Sequence, residues 1–454
     1  MYVCQILHLQ EELDYEELRE RNLRDNEQFF STLGIAKAKE QLQLSNKKPA
    51  KPYQKREPKP KEVLPRRQSM RLRRIDPEGQ PLPPEPEPVM LVENLHPRVP
   101  AGPLQMSDIL DLERNGVEEN HGPIVSSVIS TDVASCESKS SLQSSNLSLE
   151  LKKMQITTKA KLCKDRLFSV ALHPSSTKVL AMAGDKWGRL GFWDIESKDQ
   201  ETVTVYRPHS RPIGHIYVPP SDPHKVYTCS YDSTLRRGDF ERGVFDELYS
   251  VPEEEDDLFR NFDFLSPSTL LLAQFRGDVS VIDVRSPSNK ADQSYNVCDK
   301  YLRTVSSHPV NKNFFITAGT NMQVSVWDIR KLKAKGNKPL HALTHGRAVS
   351  SAYFSPLTGS RILTCSSDDT LNHNNHTGRW LTPFRAVWHP ASEDVFFVGS
   401  MKTPRRIEVF GADGRLVHEF QGEVLSSVCS VIQFHPSRSI LVGGNSSGYV
   451  FPFM

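Results

Sequence analysis

The chain has 454 residues, of which 25% are charged and 37% hydrophobic, and its formal net charge is +2. This length fits two or three average domains, or one large repeat domain with an extension. The seven cysteines are scattered without a C-x-x-C pair, which argues against a disulfide framework and a zinc site and indicates a reducing compartment. No apolar run approaches the roughly 20 residues of a membrane span. The composition therefore predicts a soluble, intracellular protein.

The N-terminal segment, residues 1–46, contains one stretch that favours a helix. Residues 11–33 are rich in Glu, Leu and Arg, and Gly34 is a plausible stop just past their end. Such a short amphipathic helix either packs on the body of the protein or binds a partner. The sequence leaves both roles open.

Residues 47–160 are predicted to be a largely disordered linker. The first part is basic and proline-rich, and residues 123–150 are rich in serine, so neither part can bury a core. Between residues 47 and 74 there are twelve Lys or Arg against two Glu. Ser69 lies inside this basic stretch, where phosphorylation would add negative charge and weaken binding to phosphates.

The basic stretch has a core of closely spaced arginines: Arg66, Arg67, Arg71, Arg73 and Arg74. Three interpretations of this core stay open. It is a solvated tail, a nuclear-import signal or a phosphate-binding arm, and the last two are compatible.

Residues 161–454 form an internal repeat. Each unit has an apolar strand, a proline corner, a second apolar strand, a turn with small residues and Asp, and a third strand. The corner prolines are Pro174, Pro220, Pro267, Pro309, Pro356, Pro390 and Pro436, at intervals of 46, 47, 42, 47, 34 and 46 residues. A period near 45 with four strands per unit is typical of a WD-repeat β-propeller. The sequence thus predicts an all-β, seven-bladed propeller.

The fifth interval is about 12 residues shorter than the others. After Leu371 the expected third strand and most of a fourth strand are absent. We therefore predict that blade five is incomplete and leaves unpaired backbone groups at an exposed edge.

The chain carries no recognisable catalytic motif, so we expect no enzymatic activity, no cofactor and no metal. His173, His389 and His435 precede corner prolines. Because they recur at one repeat position on separate blades, we interpret them as structural.

Several longer strings resemble the WD-repeat family that includes damaged-DNA-binding protein 2. They are YEELRERNLRDNEQFFSTLG, RRQSMRLRRIDPEG, TLRRGDF, AYFSPLTG, TGRWLTPF and GGNSSG. The resemblance covers residues 14–35, 65–79 and nearly all of 161–454, whereas the first dozen residues are unlike the family. It implies two binding surfaces on a propeller.

One implied surface binds damaged-DNA-binding protein 1, the adaptor of the cullin-4 ubiquitin ligase, through a D-x-R element at the end of a third strand. This chain has two such elements in successive blades, Asp283 with Arg285 and Asp328 with Arg330. An arginine there presents a rigid five-donor fork, and the preceding Asp can orient it. The alternative is that the Asp is a normal WD-repeat residue and the Arg an ordinary surface residue.

The other implied surface is a DNA-binding rim, at which damaged-DNA-binding protein 2 carries a Phe-Gln-His hairpin before its L-T-P segment. The matching residues here are Gly378, Arg379 and Trp380. Arg379 suits a phosphate or minor-groove contact, and Trp380 either stacks on bases or packs inside the blade. The departure from Phe-Gln-His argues against photolesion-specific base flipping.

Two basic clusters are predicted to join this rim. Lys402, Arg405 and Arg406 form one, and Lys186 and Arg189 form the other. Both follow a second strand, and equivalent loops of a propeller share one face. The alternative is an ordinary solvated rim.

These observations lead to a nuclear, non-enzymatic propeller that binds damaged or modified double-stranded DNA and acts as a substrate receptor of a cullin-4 ligase. We expect histones and repair factors as further partners and no association with a membrane. The chain is expected to be a monomer within larger complexes. The alternative is a chromatin-associated protein scaffold without direct DNA recognition.

Overall fold

The computed structural model describes residues 3–8, 97–111, 122–132, 144–156, 158–197, 203–252, 257–286, 290–366 and 381–454. The helix predicted over residues 11–33, the arginines Arg66, Arg67, Arg71, Arg73 and Arg74, and the hairpin Gly378, Arg379 and Trp380 lie outside these described residues. All the described residues belong to one compact unit. Among them, no helix has the length and apolar character needed to cross a membrane.

Five short elements precede the repeats. They are β1 (Val3–His8), β2 (Leu104–Gln105), α1 (Gly122–Ile129), α2 (Ser144–Lys153) and β3 (Ala160–Lys161). The three strands each pair with a strand of the repeat region.

The remaining strands form seven antiparallel sheets, numbered here in chain order. Sheet 1 contains β4 (Leu167–Leu172), β5 (Leu180–Asp185), β6 (Leu190–Asp194) and β7 (Val203–Tyr206). Sheet 2 contains β8 (Ile213–Tyr217), β9 (Lys225–Ser230), β10 (Thr234–Asp239) and β11 (Val244–Ser250), with β2 at its outer edge. Sheet 3 contains β12 (Phe259–Ser266), β13 (Thr269–Gln274), β14 (Asp278–Asp283) and β15 (Gln293–Asn296).

The second half repeats this pattern. Sheet 4 contains β16 (Leu302–Ser307), β17 (Phe314–Gly319), β18 (Gln323–Asp328) and β19 (His341–Thr344). Sheet 5 contains β20 (Val349–Phe354), β21 (Arg361–Ser366) and the N-terminal β1. Sheet 6 contains β22 (Val387–Trp388), β23 (Val395–Ser400), β24 (Arg406–Gly411) and β25 (Leu416–Gln421). Sheet 7 contains β26 (Cys429–Phe434), β27 (Leu441–Asn445), β28 (Tyr449–Phe453) and β3.

The second strand of each sheet lies between two other strands. Every residue of β5 and of β23 is buried. The first strands of neighbouring sheets lie side by side: the Ser169 hydroxyl of β4 donates to the Ile213 carbonyl of β8, and the Thr304 hydroxyl of β16 donates to the Ser350 carbonyl of β20. The first strands thus surround a central cavity of about 430 Å³.

The ring closes by contacts between β26 and β4 and by the pairing of β28 with β3. The predicted all-β propeller is confirmed, with six sheets that each contain four or five strands. Among the described residues, sheet 5 contains two consecutive strands, and the N-terminal β1 pairs with the edge of β21 that the sequence analysis predicts to be unpaired. The predicted count of seven blades depends on this sheet and stays a prediction.

Helices α1 and α2 lie within the predicted linker, residues 47–160, where the sequence predicts no helix. In α1, Ile124 and Val128 are buried against sheets 1 and 2. In α2, Leu147 and Leu151 are buried against sheets 6 and 7. Each pair has the i, i+4 spacing of one helix face. Many serines surround these few apolar residues, so the helical pattern is weak in the sequence. The helices become stable only when they pack against the propeller.

Candidate protein and nucleic-acid interfaces on the two rims

The strand register assigns every turn to one of two rims. The start of a first strand pairs with the end of the second, as Leu167 does with Asp185. The end of a third strand pairs with the start of the second, as Asp283 does with Thr269. We define the upper rim as the side that carries the starts of the first strands and the turns between the second and third strands. The lower rim carries the proline corners and the ends of the third strands.

The two D-x-R elements lie on the lower rim of adjacent sheets and have the same geometry. In sheet 3, the Arg285 guanidinium donates from Nε and Nη2 to the two carboxylate oxygens of Asp283, at 3.1 and 2.9 Å. In sheet 4, Arg330 makes the same two bonds to Asp328, at 3.0 and 2.8 Å. In both, the arginine backbone N–H also donates to the Asp, at 2.9 and 3.1 Å.

Each arginine of these elements is oriented but still exposed. The side chains of Arg285 and Arg330 are 74% and 61% exposed. Hydrogen bonds from the neighbouring arginines lower the pKa of Asp283 and of Asp328, so both carboxylates stay charged near neutral pH. The remaining guanidinium donors of each arginine face solvent in a fixed direction, which suits recognition of a partner's carboxylate or carbonyl groups.

The predicted clusters of the upper rim occupy equivalent turns, but their side chains differ in burial and in their contacts within the propeller. Lys186 and Arg189 lie in the turn between β5 and β6, and Lys402 and Arg405 lie between β23 and β24. The Lys186 ammonium lies 4.5 Å from the centre of the Trp187 ring. Lys402 is half-buried and forms an ion pair of 2.7 Å with the buried Glu408.

Arg189 forms ion pairs within the propeller, and the DNA contact predicted for it stays a prediction. Its Nε donates to Asp111 at 2.6 Å, and its Nη1 lies 3.2 Å from Asp165 and 3.5 Å from Asp185. Only 12% of its side chain is exposed. Burial raises the pKa of Asp185 to about 6, although backbone N–H groups of Arg189 and Trp187 and the Arg189 charge lower it.

Arg406 and Arg405 are also engaged within the propeller. Arg406 is the first residue of β24, and its Nη1 donates to both carboxylate oxygens of Glu419 on β25, at 2.9 and 2.8 Å. The Nη1 of Arg405 donates to the Met401 carbonyl at 2.7 Å. The sequence could not show the Glu419 partner, because only the pairing of β24 with β25 brings Glu419 close to Arg406.

A larger basic feature of the upper rim was missed by the sequence analysis. In six sheets an arginine lies within two residues of the start of the first strand: Arg166, Arg211, Arg260, Arg303, Arg347 and Arg385. We call these six residues the arginine ring. A signal for it exists in the sequence, since each arginine precedes its corner proline by five to nine residues.

Aromatic side chains support part of the arginine ring. The Arg166 guanidinium lies 4.7 Å from the Phe168 ring, and Arg260 lies 5.8 Å from the Tyr231 ring. The two aromatic rings meet edge to face at 5.9 Å. Arg385 reaches across the central cavity from sheet 6, where its Nη1 donates to the Gly214 carbonyl of sheet 2 at 3.0 Å. These contacts hold cationic groups at the mouth of the channel.

Several acidic residues of the upper rim are buried and therefore do not face solvent. Asp232 accepts the Ser210 N–H at 2.8 Å, and Asp257 accepts the N–H of Leu258 at 3.0 Å. An acidic run at residues 253–256 belongs to the connection before β12 and lies outside the described residues. Asp299 and Glu423 on the same rim are exposed, so its described surface carries both cations and carboxylates.

An aromatic pair lies on the same rim between sheets 3 and 4. The rings of Phe275 and Tyr301 stack at 3.9 Å with an angle of 9° between their planes. Tyr301 is 51% exposed, and the neighbouring Arg276 and Lys300 are exposed as well. An exposed ring beside cations can stack on a nucleic-acid base.

The histidines before the proline corners are buried and hydrogen-bonded within the corners. The Nδ1 atoms of His173, His389 and His435 each accept a backbone N–H from two residues further along the chain. Burial lowers the pKa of His173 to about 4, so its ring is neutral near pH 7. In the described part of the chain, no group of three or more His, Cys, Asp or Glu side chains could hold a metal ion.

The ring of sheets, the proline corners and the two chemically different rims define a WD-repeat β-propeller of the kind that serves as an interaction platform. The chain is 39% identical over 97% of its length to WD repeat-containing protein 76 of Mus musculus, and it covers 74% of that protein. It is 38% identical to WD repeat-containing protein 76 of Xenopus laevis, again over 97% of its length and 80% of the relative. The chain belongs to the WD repeat-containing protein 76 family.

A more distant relative carries a different name. DNA damage-binding protein CMR1 of Phaeosphaeria nodorum is 28% identical over 63% of the chain and 64% of its own length. No protein-family model matches the chain.

Proposed function

We propose that the chain is a nuclear protein of the DNA damage response, which binds damaged or modified double-stranded DNA on its upper rim and a cullin-4 ligase adaptor on its lower rim. The names of its CMR1 relatives support the association with DNA damage. The arginine ring is the observation that carries the DNA half of the proposal. The basic segment with Arg66 and Arg67 supports nuclear import.

The arginine ring suits a duplex that crosses the mouth of the channel. Arginines from six sheets lie at the same rim, where they can contact successive phosphates along a backbone. The stacked pair of Phe275 and Tyr301 lies beside them and can receive a base that is displaced at a lesion. Phosphate contacts supply most of the affinity, and the aromatic pair contributes to selectivity.

The DNA half is tested by a matched pair of triple variants. In the first, Arg211, Arg303 and Arg347 of the upper rim are replaced by Gln. In the second, Arg242, Arg285 and Arg330 of the lower rim are replaced by Gln, which removes the same charge from the other side.

Affinity for a labelled DNA duplex is measured by fluorescence anisotropy at two salt concentrations. The upper-rim variant is expected to bind at least tenfold more weakly, while the lower-rim variant retains the affinity of the unaltered chain. Equal losses in the two variants would show that only net charge matters, and they would contradict a DNA site on the upper rim.

For the ligase half, we propose that Arg285 and Arg330 dock together on damaged-DNA-binding protein 1. The support is that two adjacent sheets hold an exposed arginine with the same bidentate Asp contact. Because each guanidinium is already oriented, little side-chain entropy is lost on binding. The two sites act as one surface.

Co-purification of the adaptor with the full chain tests this docking site. Replacing both Arg285 and Arg330 by Ala is expected to abolish recovery of the adaptor. The control is Arg242→Ala, because Arg242 is also an exposed, ion-paired arginine at a turn after a third strand. Undiminished recovery with the double variant, or an equal loss with the control, refutes the docking site.

The competing function is a chromatin-associated scaffold that binds protein segments such as histone tails or repair factors. It would use the same rims, with a monomeric propeller inside larger complexes, but without direct DNA recognition. Its support is that the described rims carry paired charges and exposed aromatic rings, which also suit peptides. It is favoured if DNA binding disappears when only the basic residues 66–74 are neutralised.

A further inference from the structure

The N-terminal strand β1 occupies the third-strand position of sheet 5, which no strand of the described repeat residues fills. Sheet 5 has the order β20, β21, β1, and β1 pairs with β21 over six residues, from Val3 opposite Ser366 to His8 opposite Arg361. Residues 349–366 contribute the two other strands. The third strand of this sheet is thus distant from its neighbours in the sequence.

The polarity and length of β1 match those of a third strand. In sheet 4, β18 begins beside the end of β17, with Val324 opposite Ala318, and ends at Asp328 opposite Phe314. Strand β1 runs in the same direction along β21, and it has the same six residues as β14 and β18. An antiparallel register of this kind satisfies the backbone groups along the edge of β21.

Without β1, the edge of β21 would be exposed among the described residues. An edge of six residues presents about three N–H and three C=O groups, which readily bind another strand. Extended peptides bind to such edges by adding a strand, with backbone hydrogen bonds supplying affinity. The shortened repeat therefore converts an internal edge into a peptide-binding site.

We propose that the edge of β21 is a binding site for an extended peptide strand, and that Val3–His8 of the same chain is its resident ligand. The N-terminal segment then serves as the third strand of the shortened blade. This inference does not depend on the proposed DNA or ligase functions.

The position of β21 links this site to the upper rim. The Cys365 sulfur of β21 accepts the backbone N–H of Ala386 at 3.0 Å, and Leu363 packs with Phe384 and Trp388. Arg385 of the arginine ring lies between Phe384 and Ala386 in this segment. Occupancy of the β21 edge therefore stabilises the segment that carries Arg385 across the channel.

Hydrogen–deuterium exchange of the full chain tests the proposal. The variant Gln5→Pro with Ile6→Pro removes two successive N–H groups of β1, which point to opposite sides of a strand. The amides of residues 361–366 that point to β1 are expected to exchange at least tenfold faster, while those of β13 in sheet 3 are unchanged. The matched control, Gln10→Pro with Glu11→Pro, places the same substitutions just beyond the strand and should have no effect on β21.

A synthetic peptide of residues 1–9 provides the second measurement. Added to the proline variant, it is expected to restore the protection of residues 361–366 against exchange. The same result is expected if the proline substitutions unfold the variant before the peptide is added. Failure of the peptide to restore protection overturns the proposal. Equal exchange of β21 in the proline variant and its control overturns it as well.

The register provides a third measurement, because β1 brings Cys4 opposite Cys365. Opposed residues of antiparallel strands have Cα separations compatible with a disulfide. Mild oxidation followed by mass spectrometry is expected to link these two cysteines within one molecule. Linkage of Cys4 to another cysteine, or a Cys4–Cys365 link found only in dimers, overturns the intramolecular assignment.

Discussion

Replacing Arg189 by Met tests whether this arginine stabilises the propeller or binds DNA. The substitution keeps an unbranched side chain but removes the charge that pairs with Asp111 and Asp185. These carboxylates are only 8% and 0% exposed, whereas Asp165 is 41% exposed and contributes little. Removing one partner of a buried ion pair costs about 3 to 5 kcal/mol. We expect a loss of this size in the free energy of unfolding at pH 7.5.

The loss should depend on pH in a definite direction. The pKa of Asp185 is raised to about 6 even with Arg189 present, and it rises further without it. A carboxyl group with a raised pKa in the folded state favours folding when protonated and disfavours it as the pH rises through that pKa. The destabilisation by Arg189→Met should therefore be largest above pH 7 and should shrink towards pH 5.

Urea unfolding of the full chain, followed by tryptophan fluorescence, measures this difference. The control is Lys186→Met in the same turn, where the loss of one cation–π contact should cost less than about 1 kcal/mol. A loss below about 1 kcal/mol for Arg189→Met, together with a tenfold weaker affinity for DNA, would refute the structural role of Arg189.

Two further predictions concern the corner histidines and helix α2. Burial lowers the pKa of His173 and of His435 to about 4 each, so folding should lose up to about 3 kcal/mol per histidine as the pH falls from 6.5 towards 4. Urea titrations at several pH values check this, and a flat profile between pH 6.5 and 4.5 would contradict it. Leu151→Ala should destabilise the chain by about 2 to 4 kcal/mol, because Leu151 is buried in α2. Leu149→Ala, on the exposed side of the same helix, should change the unfolding free energy by less than about 0.5 kcal/mol, and equal effects would contradict the packing of α2.

The features that repeat along the chain could be predicted from the sequence. The spacing of the corner prolines predicts the strands of the six sheets with four or five strands, whereas the incomplete blade before Pro390 stays a prediction. The D-x-R elements are short-range, because Asp283 and Arg285 are two residues apart and orient each other directly. Local order of this kind requires no knowledge of distant partners.

The features that depend on distant partners could not be predicted. Arg189 is neutralised by Asp111, which lies 78 residues earlier in the predicted linker. Arg406 is paired with Glu419 through the register of β24 and β25. Strand β1 is defined by β21, which lies more than 350 residues later. In each case the chemistry of one residue is set by a contact that only the folded chain creates.

The salt dependence of DNA binding tests the central claim most directly. In one variant, the five arginines of residues 66–74 are replaced by Ser. In a second variant, Arg211, Arg303 and Arg347 are also replaced by Gln. Binding of a DNA duplex to each full-length variant is measured between 50 and 200 mM salt. If the arginine ring binds phosphates, the chain with the neutralised tail retains a steep salt dependence. The added substitutions then reduce the slope of log Kd against log salt by about 2 to 3, for three lost phosphate contacts. A slope that vanishes when the tail alone is neutralised would contradict DNA binding by the propeller.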